Sequence, residues 1–88
     1  MAAAVVTLLY FASLRERLDC AREQVALPAG TPTVGSLVEV LRARDGRWSE
    51  AFALGRDWRV AVNQQMAGAA TPLKPGDEVA FFPPVTGG

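Results

Sequence analysis

The run Phe81-Phe82-Pro83-Pro84-Val85-Thr86-Gly87-Gly88 holds the residues whose order most suggests chemistry. Chain ends usually fray in polar residues; here two aromatics and two prolines lead into a glycine pair. Gly87 and Gly88 lack a Cβ, so a narrow channel can pass them and another backbone can approach closely. With Gly88 expected as the last residue, its main-chain carboxylate is the one unhindered reactive group at the tip. A carboxylate is a poor electrophile, so it would need activation as an acyl phosphate or adenylate by an ATP-using partner before accepting sulfide, a thiol or an amine. Pro83 and Pro84 cannot donate ladder hydrogen bonds and are predicted to end a sheet and stiffen the exit. Residues 85–88 then reach at most roughly 13 Å, at about 3.3 Å per extended residue, enough to enter another protein's active site.

The remaining inventory argues against chemistry performed by the chain itself. It has no histidine and a single cysteine, Cys20. That removes the usual zinc sets, the serine and cysteine triads and the commonest general base near neutral pH. No cofactor or metal is expected to bind, and a free-standing enzyme is the least favoured class. Cys20 is flanked by Arg22 but also by Asp19 and Glu23, so nothing in the sequence activates it as a sulfur relay, and it is taken as a small apolar residue. Nine basic side chains balance nine acidic ones, which speaks against nucleic acid as a partner. The apolar start, MAAAVVTLLYFA, is too short to span a bilayer and has no basic leader, so no membrane partner is expected. A lone thiol and no sign of export make a cytoplasmic setting the expectation.

The elements that would hold such a tail can be read from periodicity. In 88 residues, half of them apolar, one domain is expected over residues 1–84, followed by the tail at 85–88. Residues 4–11 are β-branched and aromatic enough for a strand, followed by a short helical turn over 13–19 with Ser13 as its cap. A second strand is predicted over 23–28. The clearest helix starts at Thr33 as N-cap, with Val34, Leu37, Val38 and Leu41 on one face and Gly46 placed to close it. A second short helix carries Trp48 and Phe52 on one side. Strands follow over 58–63 and 78–83, with a short edge strand within 64–70 and a turn at 74–77. The order implies an α+β fold in which a mixed sheet packs on one main helix. One sheet face is then left uncovered.

Strand parity labels that face, because alternate residues share a side. Thr7 places Leu9 and Phe11 outside and Val6, Leu8 and Tyr10 in the core. Arg59 and Asn63 place Ala61 outside, with Val60 and Val62 inward. Glu78 places Ala80 and Phe82 outside, with Val79 and Phe81 inward. An open face carrying Leu9, Phe11, Ala61, Ala80 and Phe82 is more apolar than a free surface requires, which points to a protein partner.

On YFASLRE, RVAVNQ and above all GDEVAFFPPVTGG, the chain resembles the small, sulfur-carrying subunits of molybdopterin synthases, which are ubiquitin-like β-grasp proteins with a flexible Gly-Gly tail. The resemblance spans the whole chain, and only the last segment is specific. It implies that an ATP-dependent, ubiquitin-activating-like adenylyltransferase adenylates Gly88 and that sulfur from a donor protein replaces AMP to leave a thiocarboxylate. The tail residues Pro83, Pro84, Val85, Thr86 and Gly87 would then enter the large synthase subunit. There the sulfur passes to cyclic pyranopterin monophosphate, in a heterotetramer that uses two charged small subunits per product. The small subunit would be the non-catalytic sulfur donor. Phe11, Phe82 and Arg15 match family positions near the partner, which together with Leu9 and Ala80 outline the expected interface. Three alternatives stand beside this reading: a sulfur carrier for thiamin thiazole or another pathway, of a kind that also ends in Gly-Gly but is usually shorter and lacks FFPPVTGG; a lysine-linked modifier; and a β-grasp interaction domain with no covalent chemistry.

Overall fold

The computed structural model describes residues 4–27, 33–44, 46–53 and 58–83. Five strands and three helices follow in the order β1 (Ala4–Tyr10), α1 (Ala12–Leu18), β2 (Arg22–Leu27), α2 (Val34–Arg42), α3 (Arg47–Ala51), β3 (Arg59–Val62), β4 (Gln65–Met66) and β5 (Glu78–Phe82). The strands form one mixed sheet in the order β2-β1-β5-β3-β4. The β1–β5 pair is parallel, and the other pairs are antiparallel. The β-grasp expectation therefore holds in its strand directions and in its single layer of helices.

α2 forms where the sequence supplies both a start signal and an apolar stripe. The Thr33 hydroxyl accepts a hydrogen bond from the Ser36 N–H, while the Ser36 hydroxyl accepts one from the Thr33 N–H. This reciprocal cap satisfies donors that a helix start otherwise leaves open. Val34, Leu37, Val38 and Leu41 are all buried, as the 3.6-residue spacing predicts. They meet the inner sheet face of Val6, Leu8, Tyr10, Val25, Leu27, Val60, Val79 and Phe81 in one core. Burying each such side chain stabilises the fold by about 1.5–3 kcal/mol before its entropy cost is subtracted.

Two turns set the register of the strands around the last one. The sequence Lys74-Pro75-Gly76-Asp77 supplies proline followed by a glycine at φ +88°, the pairing a type II turn requires. The Asp77 N–H donates to the Lys74 carbonyl, and the Asp77 carboxylate accepts from the Lys74 N–H at 2.8 Å. Between β3 and β4, Asn63 and Gln64 both adopt positive φ, 50° and 71°. A two-residue loop with both φ values positive matches the right-handed twist of the flanking strands. The Asn63 amide donates to Asp77 and its oxygen accepts from the Glu78 N–H, tying this hairpin to the start of β5.

Three expectations are corrected. Ser13 does not cap α1 but lies inside it: Phe11, the residue before the helix, stands at the N-cap with no side-chain bond, because β1 runs directly into the helix. Gly46 does not close α2, which ends at Arg42 with Ala43 as its C-cap; Gly46, at φ 63°, instead stands at the N-cap of α3. Ala61 is on the outer face but is not exposed, keeping only 9% of its accessible surface. Its small side chain is shaded by Ala80 on one side and Met66 on the other.

Candidate functional site

The register assembles the outer face as rows that cross the sheet. In one row Arg22 pairs with Leu9, Leu9 with Ala80, Ala80 with Ala61, and Ala61 with Met66. Paired residues point to the same side, so Leu9, Ala80, Ala61 and Met66 form an apolar strip from β1 to β4. The next row brings Phe82 opposite Arg59. Phe11 continues it: its N–H donates to the Phe81 carbonyl at 3.1 Å. On the other side of the strip, Gln24, Thr7 and Glu78 supply a polar rim.

Each predicted site residue among those described can now be placed. Leu9, Ala80 and Phe82 are partly exposed, and Phe11 is 46% exposed. Arg15 is exposed on α1, and its N–H donates to the Phe11 carbonyl, so it stands one turn beyond the aromatic end of the face. Pro83 is partly exposed immediately after β5. Pro84, Val85, Thr86, Gly87 and Gly88 lie outside the described residues. Leu9, Ala80, Phe82 and Phe11 are thus gathered at the strand end from which Pro83 leaves, with Arg15 beside them.

Two residues of this face escape the parity reading. Met66 is 66% exposed and Val5 41%. Val5 is an outward residue of β1 hidden in an unbroken apolar run. Met66 could have been found by treating Asn63-Gln64 as a two-residue hairpin loop, which pairs Met66 with Ala61.

Beneath the tail root, aromatic packing fixes β5. Phe81 is fully buried, its ring 5.1 Å from that of Phe52, 5.5 Å from Trp58 and 6.1 Å from Tyr10. Tyr10 donates its hydroxyl hydrogen to Glu23 at 2.8 Å and accepts from the Trp48 indole at 3.3 Å. Arg44 binds Glu23 through two bonds of 2.9 and 3.0 Å and lies over the Trp48 ring. Burial dominates in holding the Tyr10 phenol well above the ordinary tyrosine range; the Trp48 N–H donated to its oxygen pulls the other way, and the contact with Glu23 adds to the rise. The hydrogen bonds to Glu23 hold the Arg44 guanidinium even more firmly protonated. This network is a brace and faces the helices, away from the open sheet face.

No cluster of three or more His, Cys, Asp or Glu residues suited to a metal occurs among the described residues. Cys20 is partly exposed beside Arg15, Glu16, Asp19 and Ala21, with its thiol 3.5 Å from the Arg22 carbonyl. No helix among the described residues is long and apolar enough to cross a membrane. What the described residues do present is an apolar outer face beside Pro83, the residue that follows β5.

The chain is 43% identical over 84 residues to the molybdopterin synthase sulfur carrier subunit of Escherichia coli, covering 96% of this chain and all of that protein. Its fold matches a putative molybdopterin converting factor subunit 1 from Pyrococcus furiosus with a TM-score of 0.79 at 28% identity, over 94% of this chain and all of that one. It also matches a structure of the complex of subunits 1 and 2 of the molybdopterin-converting factor from Helicobacter pylori, with a TM-score of 0.64 and 25% identity over 96% and 99% of the two chains. The ThiS family model matches residues 8–88. With that match extending over nearly the whole chain, and with the sheet order and full-length relative in agreement, this chain belongs to the ThiS family.

Proposed function

We propose that this chain is the sulfur carrier subunit of a molybdopterin synthase, with Gly88 as the charged residue. The observation that carries the proposal is the apolar outer face, gathered where Pro83 leaves β5, in a chain 43% identical to a protein of that role. The large synthase subunit docks on Leu9, Phe11, Ala80, Phe82 and Arg15, so that Pro83, Pro84, Val85, Thr86 and Gly87 are directed into its active site. The existence of a complex between subunits 1 and 2 of a related converting factor supports that partner.

The chemistry belongs to the tail and to its partners. An adenylyltransferase of the ubiquitin-activating kind directs the Gly88 carboxylate at the α-phosphorus of ATP and pyrophosphate leaves. A sulfide-level nucleophile from a sulfur donor protein then attacks the acyl carbon and expels AMP, leaving the thiocarboxylate. Its sulfur is transferred to cyclic pyranopterin monophosphate in the large subunit. The described residues contribute docking and alignment, which fits a chain without histidine; ATP is used by the partner, and no cofactor is assigned to this chain. A cytoplasmic setting belongs to the same proposal, in keeping with the single thiol of the sequence.

The test is conversion of cyclic pyranopterin monophosphate by the large subunit supplied with the thiocarboxylated chain. Product formation that stops when Gly88 is deleted supports the role. A chain that is charged normally yet yields no product would instead serve another sulfur pathway, such as thiamin thiazole formation. Accumulation of lysine-linked adducts would identify a modifier.

A further inference from the structure

Met66 is the most exposed large apolar side chain among the described residues, and it ends the cross-sheet row that holds Leu9 and Ala80 of the proposed docking surface. Its position is set by the hairpin: Asn63 and Gln64 make the two-residue turn, Val62 pairs with Gln65, and Met66 falls opposite Ala61. Its cross-strand partner Ala61 is small, and at the β4 edge the Met66 side chain keeps 66% of its surface exposed. The surface beside it is lined by Val62, Asn63, Gln65, Ala67 and Thr71 and is open to solvent.

A thioether in this setting has two properties that matter. Unbranched and polarizable, it adapts to an apolar partner surface. Exposed, it meets small oxidants that buried sulfur does not. We propose that Met66 is a redox modification site whose oxidation releases the chain from its large-subunit partner; this rests on the docking role proposed above. The oxidant is hydrogen peroxide. One peroxide oxygen is transferred to the Met66 sulfur, the O–O bond breaks, the sulfur loses two electrons to become a sulfoxide, and the peroxide leaves as water. The product replaces a flexible apolar tip by a polar S=O group. Within an apolar interface that group lacks the hydrogen bonds it makes in water, and the complex is disfavoured. Methionine sulfoxide reductases reverse the change.

The experiment uses the full-length chain carrying Cys20→Ser, so that the thiol does not consume the oxidant, and the purified large subunit. Peroxide treatment is followed by peptide mass mapping to locate the added oxygen, then by Kd measurement before oxidation, after it, and after enzymatic reduction. Oxidation at Met66 should weaken binding at least about tenfold, the scale expected for burying an uncompensated polar group. Reduction should restore the starting Kd, and Met66→Leu, whatever its own affinity, should lose nothing on peroxide treatment. Equal Kd values for the oxidised and reduced chains would overturn the switch. So would a Met66 left unoxidised at peroxide doses that convert free methionine. Failure of the untreated chain to bind the large subunit would instead remove the docking role itself, and the switch with it.

Discussion

Phe82 is the residue where docking and stability can be separated. Its neighbours in sequence, Phe81 and Pro83, are respectively core and exit, but its own ring points outward, opposite Arg59. Phe82→Asp should therefore weaken the complex with the large subunit by about 2 kcal/mol or more, as for a central aromatic anchor, while the melting temperature changes little. Isothermal titration and thermal melts on the same preparation distinguish these effects. Tyr10 behaves in the opposite way, being fully buried and far from the open face. Because burial raises its pKa in the folded state, the neutral phenol's contribution to stability is fully present below the unfolded value of about 10 and is lost as pH rises toward the folded one. Tyr10 is the only tyrosine, so phenolate absorbance reports this group alone. It should remain absent above pH 10 until the fold is lost, and Tyr10→Phe should flatten the alkaline decline in stability.

At the scale of elements, the local signals explain most of the fold, and the exceptions have identifiable causes. α2 was legible because its capping residue, its apolar stripe and its burial agree, and Thr33→Ala should cost about 1 kcal/mol in denaturant unfolding through loss of the cap. The start of α1 was not legible, since the strand-to-helix junction is imposed by pairing of β1 with β5 and by the Phe11 N–H bond to Phe81. That junction places Ala12 at φ 52°, in a region that costs an L-residue with a Cβ roughly 1–2 kcal/mol. Ala12→Gly should thus raise stability by about 0.5–1 kcal/mol, opposite to the usual loss for glycine within a helix. Urea unfolding of the two chains decides the sign. Ala61 shows a different limit of sequence reading: parity assigns its side of the sheet, but its low exposure depends on neighbours that only the register reveals. Met66 differs, since reading Asn63-Gln64 as a two-residue hairpin loop would have supplied its register.

For the whole molecule, the described residues build a packed body that ends at Pro83, where the segment proposed to carry the chemistry begins. The inner face, the helices and the Tyr10–Glu23–Arg44–Trp48 network fix β5, the outer face offers an apolar surface, and β5 delivers the chain at Pro83 beside that surface. The sheet and its open face were foreseeable from alternation, whereas the carrier role needed the tail motif, because the described residues hold no reactive constellation. The most direct test of that role is the mass of the tail peptide after incubation of the chain with ATP, an adenylyltransferase competent on another carrier, and sulfide. Reading the tail peptide avoids confusion with oxidation of Met66, whose nominal mass change is the same. Exchange of one oxygen for sulfur at Gly88, absent without ATP, is the expected result; an unchanged tail under these conditions would contradict the carrier role and leave a domain that acts by non-covalent binding alone.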